Sequence, residues 1–286
     1  MKLVRYGPAG KEKPGLIDAD GRLRDLSKKV RDIDGAVLAP ASIAALKKLD
    51  PKKLPLVKGR PRLGSCVAGV SKFIAIGLNY VDHAKETGMP IPEHPIVFFK
   101  SPTCIVGPND AVMLPKDSVQ TDWEVELGVV VGRTARHVAQ KDALKYVAGY
   151  CLINDVSERE FQIKRSGSQW SKGKGCDTFG PLGPWLLTAD EIKDPQNLDM
   201  WLDVNGVRKQ TGNTRTMIFG VAELIADVSR YMTLVPGDVI TTGTPPGVGM
   251  GMKPEPQYLK EGDVVALGIA GLGEQKQKVV AYRKRR

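Results

Sequence analysis

The stretch TDWEVELGVVVG, residues 121–132, sets the tightest limit on what this chain can fold into. A strand has a side-chain period of two, so Val125, Leu127 and Val129 share one face, and Glu124, Glu126, Gly128 and Val130 share the other. The run otherwise reads as a buried strand, yet it carries two like charges side by side on one face. Glu124 and Glu126 are either edge-strand charges paired with lysines or part of a site that neutralises them. Spacing alone leaves both readings open.

The surrounding sequence reads as strand-rich. Strands are expected at 96–99, 111–114, 123–131 and 147–153, and "KFIAIGLNY" reads as a buried strand running into a turn. Near the C-terminus, "PGDVITTG" and "EGDVVALGI" each pass from a Gly-Asp turn into a strand, and "AGLGEQ" closes a hairpin. "MIFGVAELIADVSRYM" (217–232) is the clearest amphipathic helix, with Met217, Val221, Leu224, Val228 and Tyr231 at helical spacing. There is no regular βαβ alternation. The expected fold is therefore α+β and mainly β, a mixed β-roll or barrel-like core with a few helices. The N-terminal segment has short strands with a turn at Asp20-Gly21 and a short helix at 41–49. The Pro- and Lys-rich stretch 50–64 reads as a connector. The expected division is a small α+β domain over 1–65 and a main domain over 66–286.

The charge of +10 on 286 residues invites a nucleic-acid reading, but its distribution does not support one. Residues 1–65 hold 16 basic against 7 acidic groups, the tail "RKRR" holds four more, and 66–282 hold 22 basic against 25 acidic. The basic groups are not interleaved with aromatics, and a solvated basic surface is expected, with no nucleic-acid partner. No apolar run approaches the roughly 18–20 residues of a membrane span, and "MKLVRYGPAG" has no apolar stretch like that of a signal peptide. Cys66, Cys104, Cys151 and Cys176 form no CxxC pair, which argues against a zinc site or disulfide scaffold. A cytoplasmic protein with no membrane partner is expected.

"GYCLINDVSERE" places a third carboxylate, Asp155, just beyond an apolar run. Acidic groups at strand ends of a core are costly unless paired. No His or Cys is spaced to join the three, so a cation held there would be a hard one: Mg²⁺, with Mn²⁺ or Ca²⁺ possible. His83 and Glu86 in "NYVDHAKE" are three apart and share a helical face. They are either an exposed pair or a carboxylate-oriented base able to take a proton from water. Lys174 lies in the glycine-flanked "SKGKGCD", either a mobile surface loop or a point of close ligand approach. "TTGTPPGVGMG" lacks the signature of a phosphate loop and reads as a turn presenting Thr244.

In combination and order, "GLNYVDHAKE", "TDWEVELGVVVGR", "GYCLINDVSERE", "SKGKGCDTFGP", "GNTRTMIF" and "PGDVITTGTPPGVG" resemble the fumarylacetoacetate hydrolase family over residues 70–286. The resemblance implies the family's β-roll, a homodimer, and Glu124, Glu126 and Asp155 as metal ligands. It implies His83 with Glu86 as the water-activating pair, Lys174 as a catalytic and substrate contact, and Arg159 and Thr244 as substrate-binding residues. Within the family, "GTPPGVGMGMKP" and "LKEGDVVALGIAGLGEQKQKV" are similar to the branch labelled ureidoglycolate lyase or 2,4-diketo-3-deoxy-L-fuconate hydrolase. "QTGNTRT" departs from relatives that carry an acidic residue before Ser-Asn, which bears on the far end of the substrate. The implied activity is hydrolytic C–C cleavage of a small anionic 2,4-dioxo acid to pyruvate and a carboxylic acid. Ureidoglycolate lyase and an oxaloacetate-type decarboxylase are rivals on the same framework, and a basic nucleic-acid-binding protein is the reading outside enzymes.

Overall fold

The computed structural model describes residues 1–284; the last two residues of the basic tail lie outside the described residues. The strand Val125–Val131 occupies the interior of a nine-stranded mixed sheet. Val147–Asn154 pairs antiparallel along one side of it and Val239–Thr241 along the other. Beyond Val239–Thr241 come Phe73–Gly77, paired parallel, and then Ile96–Lys100 at the edge. The strand is wholly buried, as its apolar run on both faces requires.

Its two faces serve two cores. Val125, Leu127 and Val129 pack with Leu224, Ile225 and Val228 of the helix Val221–Tyr231 and with Leu202, Val265 and Leu267. Those last three belong to a five-stranded sheet built on Asp199–Val204, Val264–Ile269 and Gly273–Val280. Val130, on the glutamate face, packs with Ile153, Phe73 and Val239 and with Leu3, Leu16 and Leu26 of the N-terminal segment. Each such fully buried aliphatic side chain contributes roughly 1.5–3 kcal/mol. The architecture is mainly β with open sheets, and no sheet closes into a barrel among the described residues.

The N-terminal strands extend this same sheet. Lys2–Tyr6 pairs antiparallel with Leu186–Thr188, and Lys13–Ile17 and Leu23–Asp25 follow outward, with a turn at Gly21 (φ +74°). Sheet and core thus run continuously across residue 65.

The C-terminal helix differs from its sequence pattern. It begins at Val221, so Met217 lies outside it, and Tyr231 in its last turn is 73% exposed. The cause is Asn79, whose side chain donates to the Phe219 carbonyl (3.0 Å) and accepts from the Phe219 N–H (2.9 Å). That clamp holds 217–220 out of the helix, and Gln196 caps the true start by accepting from the Val221 N–H at 2.7 Å. Among the described residues, no helix is long and apolar enough to cross a membrane.

Candidate functional site

Glu126 lies in the interior strand, Glu124 immediately precedes that strand, and Asp155 follows the end of Val147–Asn154. Antiparallel register sets Ile153 opposite Glu126 and Asn154 opposite Val125. The Asp155 N–H then donates to the Glu124 carbonyl at 2.9 Å. One ligand oxygen from each of Glu124, Glu126 and Asp155 lies within 4.8 Å of the others, and all three residues are buried.

The cluster is held by protein donors and cations. Glu126 Oε2 accepts from Thr241 Oγ1 (2.5 Å) and the Gly243 N–H (2.8 Å). Lys174 Nζ donates to Glu124 Oε2 (2.5 Å) and Asp155 Oδ2 (2.8 Å). Lys100 Nζ lies 2.5 Å from Asp155 Oδ1 and donates to the Lys174 carbonyl at 2.5 Å. Each nitrogen of the Arg159 guanidinium has a protein partner: Nε bonds Asp122 (2.8 Å), Nη1 bonds Gln162 (3.0 Å) and Nη2 bonds Glu124 Oε1 (2.7 Å). Asp122 in turn accepts from the N–H groups of Gly249 (2.6 Å) and Met250 (3.0 Å), tying the Gly-rich turn to the site.

These surroundings push the two glutamates in opposite directions. Burial opposes ionisation of Glu124, but the charges of Lys174 and then Arg159 overcome it and hold its pKa below the usual carboxylate range. For Glu126, burial and then the neighbouring Asp155 and Glu124 raise the pKa well above that range. Burial alone lowers the Lys174 ammonium, and Asp155 and Glu124 more than offset it, so its pKa is raised. A divalent cation fits these residues. The donors are all oxygen, they converge, and Glu126 carries an electrostatic penalty that a cation relieves.

The helix Val81–Thr87 ends at Gly88, whose φ of +68° makes the left-handed cap. On it, Glu86 Oε2 lies 3.0 Å from His83 Nδ1, while Glu86 Oε1 accepts from the Gly247 N–H at 2.9 Å. An ionised carboxylate only accepts, so Nδ1 carries the hydrogen and Nε2 is left as the basic nitrogen. A cavity of about 250 Å³ is lined by His83, Glu124, Glu126, Arg159, Lys174 and Thr244 together. The Thr244 hydroxyl donates to the Val125 carbonyl (3.0 Å) and accepts from Gln210 (2.8 Å). The residues singled out in the sequence therefore converge on one cavity, with Asp155 and Glu86 directly behind its wall as partners of Lys174 and His83.

Four contributors escaped the sequence reading. Asp122 and Gln162 orient Arg159, Lys100 braces Asp155, and Trp170 lines the cavity. The three-residue step from Arg159 to Gln162 was the only local signal; the others depend on pairings far apart in the chain.

Residues 72–280 match the family described as Fumarylacetoacetate (FAA) hydrolase C-terminal. A protein of Burkholderia multivorans, provisionally named a hydrolase, is 65% identical over 99% of this chain and 100% of its own. The structure of the fumarylacetoacetate hydrolase of psychrophilic Exiguobacterium antarcticum superimposes with a TM-score of 0.85 at 35% identity, covering 99% of this chain and 100% of that one. The maleylpyruvate hydrolase of Sphingobium sp. SYK-6, solved with manganese(II) and pyruvate, gives 0.78 at 28% identity over 99% of this chain and 100% of that one. With its buried carboxylate cluster and a match over most of its length, the chain belongs to the fumarylacetoacetate hydrolase family.

Proposed function

We propose that the protein is a metal-dependent hydrolase that splits the C3–C4 bond of a 2,4-dioxo acid into pyruvate and a carboxylic acid. The observation that carries this reading is one cavity lined both by two carboxylates of a buried all-oxygen triad and by a carboxylate-oriented histidine. A structural relative bound to manganese(II) and pyruvate supports it. Glu124, Glu126 and Asp155 would hold a divalent cation, Mg²⁺ or Mn²⁺, which when bound supplies electrophilic stabilisation of negative charge developing on the pyruvate side.

The chain's own residues do the rest. Glu86, anchored by the Gly247 N–H, fixes the His83 ring and leaves Nε2 to accept a proton from water. That water adds through oxygen to C4, and the C3–C4 bond breaks with its electron pair passing to C3. The resulting enolate takes a proton at C3 to become pyruvate. Lys174, which bonds two of the carboxylates and lines the cavity, offsets negative charge beside the leaving fragment. Arg159, held by Asp122, keeps Glu124 ionised and in place.

A turnover screen with Mg²⁺ tests this, using acylpyruvates, diketo-deoxy sugar acids, ureidoglycolate and oxaloacetate. Hydrolysis of a 2,4-dioxo acid is the expected result. Turnover confined to ureidoglycolate or oxaloacetate would replace the hydrolase with the lyase or decarboxylase. A homodimer belongs to the same proposal, and sedimentation equilibrium checks it.

A further inference from the structure

Resting on the hydrolase reading, we infer that the acyl group of the substrate is uncharged and apolar, neither a second carboxylate nor a polyhydroxylated chain.

The first support is the apolar part of the cavity lining. Phe98 has its ring centroid 5.5 Å from Lys174 Nζ, so an apolar ring adjoins the charged end of the cavity. The Trp170 ring stands edge-on to Phe98 at 5.4 Å. Leu78, Met89, Ile163 and Met250 line the same cavity. Two backbone features build this wall. A Cβ on Gly77 would lie 2.2 Å from Trp170 Cζ3, so the indole packs where only glycine leaves room. Leu78 adopts φ +46°, a region that branched side chains rarely enter, which marks a position fixed by its surroundings.

The second support is the lack of a free charge for a second anion. Among the described residues the basic groups lining the cavity are Lys174, Arg159 and His83. Lys174 and Arg159 are each paired with two protein carboxylates, and His83 is paired with Glu86. Asp122, Glu124, Glu126 and Asp155 face Lys100, Arg159 and Lys174, one negative charge in excess. A divalent cation brings this network to +1, which matches a single carboxylate. Glu86 adds a further negative charge beside it, so a second carboxylate finds no counter-charge and must still be desolvated.

The third support is the state of the hydroxyl and amide groups. Thr87 Oγ1 donates to the His83 carbonyl and Thr244 Oγ1 to the Val125 carbonyl. The carbonyl of the Gln162 side chain accepts from Arg159. Among the described residues, the side-chain groups here without a protein partner are the Gln162 amide nitrogen, the Ser168 hydroxyl and the Trp170 indole N–H, too few to satisfy a polyol. The volume of about 250 Å³ falls below the roughly 300–1,000 Å³ of drug-sized sites, so the acyl group is also short.

The test separates this inference from the reading beneath it. Calorimetry with the Mg²⁺-loaded full-length protein compares 2-oxohexanoate with 2-oxoadipate, two non-cleavable acids that differ by a terminal carboxylate. At least tenfold tighter binding of 2-oxohexanoate is expected, and kcat/KM for an alkyl acylpyruvate should exceed that for its ω-carboxylated counterpart by a similar factor. Met89→Lys, at the exposed rim, should narrow both ratios several-fold. Equal or tighter binding of 2-oxoadipate, binding of neither acid, or ratios unmoved in Met89→Lys would overturn the apolar acyl group while leaving the hydrolase intact. Failure to hydrolyse any 2,4-dioxo acid would instead remove the hydrolase reading itself.

Discussion

At the scale of single residues, the triad and the histidine should fail differently. Glu126→Ala removes a ligand oxygen and a hydrogen-bonding partner of Thr241, so metal affinity and turnover should both fall. His83→Ala leaves the carboxylates untouched, so metal and oxalate should still bind in calorimetry while hydrolysis drops roughly 10²–10⁴-fold. A His83→Ala protein that loses the metal, or hydrolyses at the wild-type rate, would contradict the assignment. Glu126 also sets a pH dependence. Its pKa is raised in the folded metal-free protein, so the folded state binds more protons than the unfolded chain above the ordinary carboxylate range, about 4.5. Metal-free stability should therefore fall as pH rises from there toward the raised value. A cation must displace the same proton, so its affinity and its increment in Tm should grow with pH. Thermal melts with and without Mg²⁺ across pH 5–8 measure both, and a Tm increment that shrank with pH would refute this.

At the scale of elements, the segment 82–94 carries the proposed base on a two-turn helix that stops at Gly88 and gives way to a proline-rich stretch. Its link to the Gly-rich turn is Glu86 with the Gly247 N–H. We expect 82–94 to order over the site, so that hydrogen exchange there slows when oxalate binds the Mg²⁺-loaded protein; identical protection in both states would show that the segment does not close over the ligand. The Asn79 clamp is a second elemental test. Asn79→Ala orphans the Phe219 N–H and carbonyl and the Thr242 carbonyl in the interior, at about 1–3 kcal/mol for each group left unpaired. A clear drop in Tm should follow. The clamp also explains where sequence reading succeeded and failed. Strand period put Glu124 and Glu126 on one face because that periodicity is local, and the register with Ile153 and Asn154 delivered Asp155. The helix start was misplaced because its determinant, Asn79, lies 140 residues from Phe219. Lys100 was invisible for the same reason: a lysine ending an edge strand looks solvent-bound until folding sets it against Asp155.

At the scale of the whole molecule, activity should vanish with a chelator and return with Mg²⁺ or Mn²⁺ without a specific need for Zn²⁺, because the donors are all oxygen. Full turnover in metal-free protein would exclude the mechanism. The sheet that runs across residue 65 has a further result for how the chain comes to be folded. The first strand has no neighbour of its own on the inner side until Leu186–Thr188 exists, and the Met1 amino group bonds Thr188 Oγ1 across 187 residues. At about 5–20 residues per second of synthesis, the N-terminus waits roughly 10–40 s before its inner partner leaves the ribosome. During that interval Leu3, Leu16 and Leu26 lack the core that later covers them. Nascent chains stalled before residue 186 should be captured by holdase chaperones, and the completed chain should not.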